Sequence, residues 1–436
     1  TGVEVKGSGA LMPPTLTLEL RPCRVGGYPR AEARTRRWDR LRAVAWRMPD
    51  QPAPPVPPRR PQELLAHGHR RHDPFYGLRD RSDPAVLEYL AAENAYAEAL
   101  MRDTAELQAT LLSELRARLD EHEATVPVRW GEYLYALRYA GDYPLYVRRR
   151  GPAAPEEVLL DAGALAEAHG YLQVGSFKPS PDHARLAYTL DTDGGEAFVL
   201  VVRDLASGAT LAELPDAAHA LEWADGETFY TVRDAAKRPH ALWRWRVGGA
   251  PEPVLEEADA TFRLSLGKTK DGRYLALYSA SFETSELRVL CAESSDRAPG
   301  EPWQLVRARE PGVRVEALEH REGRFYLLTN KDAHNYRLAS VGVHALSAPW
   351  QDVVPAREGV RLEALELFED HLCLAEREHG LRRLSVLHLG SGARHPVALP
   401  DEIGTFAFGH FRDPQGHAGL SANPEPGAPC LRLSYS

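Results

Sequence analysis

Residues 182–202 read DHARLAYTLDTDGGEAFVLVV, and the punctuation of this stretch decides the fold. Leu186, Tyr188 and Leu190 alternate with Arg185, Ala187 and Thr189, and Phe198–Val202 alternates in the same way. A period of two puts successive side chains on opposite faces of a strand. Between the two runs, DTDGGE supplies the Asp and Gly residues that make tight hairpin turns at little conformational cost. A short turn at Asp182 stands in front.

The same unit recurs outward in both directions. Its turns open near Gly131, Asp182, Asp225, Asp271, Glu322, Glu369 and Asp413. Trp130–Arg138 with Tyr143–Val147 is the first strand pair. Thr228–Val232 with Ala241–Val247, Tyr274–Ser279 with Leu287–Cys291, and Arg324–Thr329 with Arg337–Val343 follow the quoted copy. His371–Glu376 with Leu384–Leu389 comes next, and Gly416–Ala422 with Cys430–Tyr435 is the weakest copy. The copies stand about 43–52 residues apart, in the range of propeller blades. One such unit is too small to bury its own apolar face, so the copies must pack on one another. Radial closure also protects strand edges from pairing with other chains. The sequence therefore predicts a mainly β chain, with a seven-bladed β-propeller over residues 128–436. A two-layer β-sandwich is the structural alternative, but it would not require seven look-alike units.

Residues 62–127 read as an α-helical N-terminal segment. Pro84 suits a first helical turn after Asp83 as N-cap. Leu87, Leu90, Asn94, Ala97 and Met101 fall at helical spacing, and Leu107, Leu111, Leu112, Leu115 and Leu119 form a second stripe. The polar stretch Arg102–Glu106 separates them, so two helices or one bent helix are expected. Residues 1–61 are expected to be an unstructured or artefactual leader with a Pro-rich linker. The chain opens on Thr1, Arg30–Arg47 is Arg-rich without apolar periodicity, Met48 would be a natural initiator, and Gln51–Pro61 is Pro-rich.

Composition narrows the function classes. The 436 residues are 43% hydrophobic and carry a formal net charge of −9, which gives no overall electrostatic footprint for nucleic acid or anionic membrane. No run of about 18 apolar residues occurs, so no transmembrane helix is expected. Cys23, Cys291, Cys373 and Cys430 lie far apart with no C-x-x-C spacing, which fits neither a disulfide framework nor a zinc site and suits a reducing compartment, the cytoplasm. Lysine occurs only at positions 6, 178, 237, 268, 270 and 331, so Arg dominates the basic residues.

From His67 the chain reads HGHRRHDPFYGLRDRSDPAVLEYLAAENAYAEALM. This resembles the N-terminal segment of the prolyl oligopeptidase family, most closely its oligopeptidase B branch. The matching residues are His67, Gly68, Arg71, Asp73, Tyr76, Leu78, Arg79, Asp80, Tyr89, Leu90, Glu93, Asn94 and Tyr96, whereas Gly77 stands where a Trp is usual. The likeness continues through residues 126–151 and 157–208, and ANPEPGAPCLRLSYS at the C-terminus is similar to the family's last propeller strand. The resemblance implies a propeller that lids an α/β-hydrolase domain with a Ser-Asp-His triad and admits only short, unfolded peptides. The oligopeptidase B branch cleaves after Arg or Lys, the prolyl branch after Pro. The hydrolase domain is expected to lie beyond Ser436, so this chain alone is expected to be inactive; that domain is its expected partner, and short basic peptides are the expected substrate of the full enzyme.

The residues themselves support that expectation. A nucleophile elbow needs G-x-S-x-G, because its strained strand-to-helix turn tolerates only small neighbours. The nearest stretch, Gly419–Asn423, lacks the second Gly. His67, His69, His72 and Asp73 are read as surface and capping residues rather than metal ligands. No metal, cofactor, nucleic acid or membrane is called for. Asp191, Asp193 and Glu196 cluster on one hairpin, either as an acidic patch toward a basic peptide or the hydrolase domain or as turn chemistry. Arg148-Arg149-Arg150 ends a strand, either as an interdomain contact or as a solvated charge run. Trp243-Arg244-Trp245-Arg246 alternates, packing on one side and solvated on the other. Two rival readings remain: a stand-alone propeller serving as a binding scaffold, and part of a prolyl-specific peptidase.

Overall fold

The computed structural model describes residues 52–119, 123–125, 127–139, 141–293, 302–398, 406–408 and 433–435. The leader residues 1–51, the turn at Asp413, Gly416–Ala422, Cys430 and the Gly419–Asn423 stretch lie outside them. The chain divides into two compact units, Thr1–Leu119 and Asp120–Ser436.

The first unit opens with a hairpin that the sequence reading did not separate from the helices. β1 (Gln62–Ala66) pairs antiparallel with β2 (His69–Asp73). The joining residues, His67 and Gly68, both have positive φ, at 51° and 77°. That is the conformation a two-residue hairpin loop requires. The arms are too polar and exposed to signal a strand by periodicity. Helix α1 (Pro84–Met101) follows, with Pro in its first turn and the Asp83 side chain accepting from the Ala85 amide at 3.0 Å. A 3-10 turn at Arg102–Thr104 joins it to α2 (Ala105–Arg116), at the polar stretch marked in the sequence. Asp83 also pairs with Arg60. Gly77 has a reason to lack a side chain: a Cβ there would stand 2.8 Å from the Arg60 Cβ.

The second unit is a series of antiparallel sheets. Sheet one is β3 (Val128–Trp130), β4 (Tyr133–Tyr139), β5 (Pro144–Arg149) and β6 (Glu157–Asp161), followed by the short helix α3 (Ala162–His169). Sheets two and three share a strand. β7 (Gln173–Pro179), β8 (Arg185–Asp191) and β9 (Phe198–Asp204) pair with the first half of β10 (Thr210–Ala224). Its second half pairs with β11 (Glu227–Arg233), then β12 (Pro239–Trp245) and β13 (Glu252–Glu256). The register shifts on both sides of Ala217, and Asp216 has φ 58°, so β10 bends there and passes from one sheet to the next.

Sheet four is β14 (Arg263–Lys268), β15 (Tyr274–Ala280), β16 (Ser285–Cys291) and β17 (Gln304–Arg307). Sheet five is β18 (Val315–Arg321), β19 (Arg324–Thr329), β20 (Arg337–Gly342) and β21 (Gln351–Val354). Sheet six is β22 (Val360–Leu367), β23 (His371–Glu378), β24 (Leu381–His388) and β25 (Arg394–Pro396). In the seventh, β26 (Phe406–Phe408) pairs with β27 (Leu433–Tyr435). The expected last pair, Gly416–Ala422 with Cys430–Tyr435, meets the described residues only at β27.

The core decides between propeller and sandwich. A sandwich has one core between two sheets. Here a separate apolar cluster fills each of the five gaps from sheet one to sheet six. Tyr135 and Leu160 of sheet one meet Phe177 and Tyr188 of sheet two. Phe198 and Leu200 of sheet two meet Trp223 and Trp245 of sheet three. Phe229 and Leu242 meet Leu264 and Leu275, Leu287 and Val289 meet Val315 and Phe325, and Leu328 and Leu338 meet Leu365 and Leu374. Cys373, Ala375 and Leu384 cluster on the opposite face of sheet six, as strand alternation requires. Sheets two to five are thus each buried on both faces by their neighbours, which is the packing of propeller blades.

Candidate functional site

One register position on the first strands carries charge. Glu222, Glu319 and Glu366 pair with Phe229, Tyr326 and Cys373 on their second strands, each in the local sequence Ala-Leu-Glu. Lys178 holds this position in sheet two, opposite Ala187, and Gly267 holds it in sheet four, opposite Ala276. The first strands of successive sheets are linked at this level. Lys178 Nζ lies 2.8 Å from Glu222 Oε1, with both side chains buried, at 6% and 5% exposure. The Trp223 indole donates to the Lys178 carbonyl at 2.8 Å, and Lys268 Nζ donates to the Trp223 carbonyl at 2.9 Å. Beyond β14, the Lys270 amide donates to Glu319 Oε2 at 2.9 Å, and Lys270 Nζ lies 3.1 Å from Glu366 Oε2. Lys270 therefore joins sheet four to sheets five and six, and its ammonium also sits 4.1 Å from the centre of the Phe368 ring.

The turns between first and second strands repeat as well. Ser180-Pro181-Asp182 and Thr269-Lys270-Asp271 each close with the hydroxyl donating to the Asp two residues on. Asp271 also pairs with the ring of His320 from sheet five, Nδ1 to Oδ2 2.5 Å. Burial opposes ionisation of Asp271, but His320, Thr269 and the Arg273 amide hold its carboxyl below the usual range. This His–Asp pair is not catalytic in arrangement: Tyr274 and Phe325 pack on the imidazole, with centroids 4.8 and 5.7 Å away, and Nε2 is buried without a hydrogen-bond partner. Ser391 and His388 also meet, Oγ to Nδ1 2.9 Å, but on an exposed turn where the same nitrogen accepts from the Ser391 amide at 3.0 Å.

The residues singled out in the sequence divide by burial. Asp191 has no exposed surface, and its carboxylate accepts from the amides of Asp193, Gly194 and Glu196 at 3.1, 3.0 and 2.7 Å. Burial would raise its pKa, yet the amides of Asp193, Glu196 and Gly194 outweigh it and keep the carboxyl below its ordinary value. Asp193 accepts from the Gly195 amide at 2.7 Å. Asp193 and Glu196 themselves are exposed on the hairpin. Arg148 is buried: Nε and Nη2 take Glu157 at 2.7 and 3.1 Å, Nη1 donates to the His183 carbonyl at 2.7 Å, and its guanidinium carbon lies 4.4 Å from the centre of the Tyr133 ring. It ties sheet one to the turn of sheet two. Gly131 sits beneath that turn, where a Cβ would meet His183 Nε2 at 2.7 Å. Arg149 is half-buried, 4.0 Å from Glu156. His72 pairs with Glu63 at 3.1 Å, and no group of metal-ligating side chains occurs among the described residues. Trp243 and Trp245 pack in the gap between sheets two and three, whereas Arg244 takes Glu252 at 2.8 Å.

The charged first-strand level escaped the sequence reading, although two signals were available. One is the triple Ala-Leu-Glu. The other is that three of the six lysines, Lys178, Lys268 and Lys270, fall here.

Comparison with known proteins agrees with this architecture. A family profile described as "Prolyl oligopeptidase, N-terminal beta-propeller domain" matches residues 54–436. Among curated relatives, Protease 2 of Moraxella lacunata is 34% identical over 77% of this chain and 50% of its own length. Dipeptidyl aminopeptidase BI of Pseudoxanthomonas mexicana is 31% identical over 88% of this chain and 54% of its own. Among solved structures, oligopeptidase B from Trypanosoma brucei with covalently bound antipain superposes with a TM-score of 0.77 at 26% identity, covering 88% of this chain and 57% of the other. Oligopeptidase B from Leishmania major shares the fold, with a TM-score of 0.79 at 24% identity, over 88% of this chain and 57% of its own. The chain spans about half the length of these curated relatives. Sheets one to six packed face to face, a charged level on the first strands of sheets two, three, five and six, and a profile match over residues 54–436 together make this chain the N-terminal β-propeller part of the prolyl oligopeptidase family, in its oligopeptidase B branch.

Proposed function

We propose that this chain is the gating part of a serine oligopeptidase that hydrolyses short peptides after Arg or Lys, its nucleophile residing in an α/β-hydrolase domain outside these 436 residues. The observation that carries the reading is family membership across residues 54–436, combined with relatives twice as long that include one named Protease 2. The propeller's part in the reaction is steric. It excludes folded and long substrates from a site it does not build, and movement of one domain against the other controls access.

Surface features support this role. Leu107, Leu111, Leu112 and Leu115 on α2 are each about half exposed, and a stripe of that kind on a helix marks a contact surface. The hydrolase domain is the partner this reading assigns to it. Asp193, Glu196 and Arg149, which keep solvent exposure, are the residues it assigns to peptide access or interdomain contact. Arg148 and Asp191 act behind them by holding the strand and hairpin in place. Wide cysteine spacing and the absence of a membrane-crossing helix among the described residues accord with a cytoplasmic enzyme.

The test is size selection by the full-length protein. Turnover of dipeptide-length Arg and Lys reporters is expected, with a folded protein carrying the same cleavage sequence left intact. Equal cleavage of both, or a preference for Pro over Arg and Lys, refutes the reading.

A further inference from the structure

The first strands of sheets four, five and six meet at one group of charges. Lys270 follows β14 by two residues. Its amide holds Glu319 of β18, and its ammonium reaches Glu366 of β22, 96 positions along the chain. Two carboxylates from different sheets therefore converge on one residue, Glu319 at its amide and Glu366 at its ammonium. The other titratable groups facing Glu319 are Asp271 beside Lys270 and Tyr278 on β15; Cys373 on β23 faces Lys270 and Glu366. Asp271 is already committed to His320 and Thr269. Glu319 and Lys270 are hemmed in by protein yet keep part of their surface open to solvent, so protons can exchange there.

We propose that Lys270, Glu319 and Glu366 form a proton-operated latch, which binds the first strands of three consecutive blades tightly when Glu319 is protonated and slackens when it ionises. With Glu319 neutral, the Lys270 ammonium faces Glu366 and no second negative charge stands beside it on β18. With Glu319 ionised, two carboxylates stand close together around Lys270 in a poorly solvated space, and like charges there repel. Burial pushes the Glu319 carboxyl up from 4.5 to about 7, and the charge of Glu366 adds to the rise against the opposing pull of Lys270. The latch therefore changes state near neutrality.

The direction of the pH effect follows from proton linkage. Between its unfolded and folded pKa values, the folded chain binds a proton that the unfolded chain has lost. This contribution is fully present below about 4.5 and falls away as pH rises to about 7. The folding equilibrium shifts by on the order of a hundred-fold across that window. Glu319→Gln keeps the neutral shape and removes the proton.

The experiment compares the 436-residue chain and its Glu319→Gln variant by urea unfolding from pH 5 to 8, and by amide exchange corrected for intrinsic rates. The parent is expected to lose stability as pH rises, with exchange accelerating in residues 315–321 and 360–367 but not in 134–139. Glu319→Gln is expected to flatten both responses and to match the parent near pH 5. A slope unchanged by Glu319→Gln overturns the proposal, as does acceleration spread equally over all sheets. Should Glu319→Gln fail to fold, carboxyl-carbon NMR of the parent decides: a Glu319 midpoint within about a unit of 7 supports the latch, and one near 4.5 overturns it.

Discussion

Replacing Lys178 with Met should cost the propeller more than any surface charge removal in the chain. The Nζ–Oε1 separation is 2.8 Å, and both side chains are almost sealed from water. An exposed ion pair contributes about 0–1 kcal/mol, because water and salt screen it. Removing one partner of a buried pair instead leaves a charge uncompensated, at about 3–5 kcal/mol. Lys268, a further cation acting on Glu222, offsets part of that loss, so about 3 kcal/mol is expected for Lys178→Met. Glu222→Leu should behave similarly, by stranding Lys178. The double variant should recover most of the loss, because an apolar pair of comparable volume removes both desolvation costs. Urea unfolding of the two single variants and the double variant gives the coupling energy directly. Additive losses, or a Lys178→Met loss under about 0.5 kcal/mol, would show that the pair is solvated and that the first strands do not close on one another at this level.

Other substitutions test neighbouring parts of the architecture. Lys178→Arg should also destabilise, by more than about 1 kcal/mol, because a planar guanidinium does not replace a compact ammonium in a packed gap; neutral behaviour in thermal unfolding would refute this. Gly175→Ala and Gly267→Ala, both on first strands, should diverge. A Cβ at Gly175 would stand 2.6 Å from Thr189 Oγ1 and 2.7 Å from a Phe198 ring carbon, whereas one at Gly267 meets nothing within 4 Å. The first should lose at least about 1 kcal/mol by overpacking, and the second should be neutral or gain about 0.4–1 kcal/mol from a stiffer unfolded chain, as read by urea midpoints. Asp191→Asn should cost about 1–3 kcal/mol, since an amide cannot accept equally from the three backbone groups now served; an unchanged melting midpoint would contradict that role.

Much of the fold could be read from the sequence because it is written in a local code. Period-two alternation punctuated by turns such as Asp225-Gly226 and Asp271-Gly272 fixes strand pairs within a blade, since both partners lie close in the chain. The sharing of β10 by two sheets was not readable, because Thr210–Ala224 is continuous and its bend at Asp216 is a backbone property. The hairpin at Gln62–Asp73 was missed for a related reason: its charged arms show no apolar period, and only the His67-Gly68 turn betrays it. At the candidate site, local turn chemistry at Asp191 was foreseen as one of two readings, but the role of Arg148 depends on His183, 35 positions on. The charged first-strand level is still less local, because Lys178, Glu222, Lys270 and Glu366 find partners 44 and 96 positions away. The scarcity of lysine pointed there. In a chain that uses Arg almost everywhere, lysines on first strands mark places where a compact ammonium fits and a guanidinium does not.

The most direct measurement for the account as a whole is active-site titration of the purified 436-residue chain with a fluorophosphonate probe, alongside hydrolysis of an Arg ester. A propeller that screens a reaction centre built by other residues should take up no probe and release no product, while the full-length protein takes up one equivalent and turns over. Stoichiometric labelling of a serine within residues 1–436, with matching esterase activity, would contradict it.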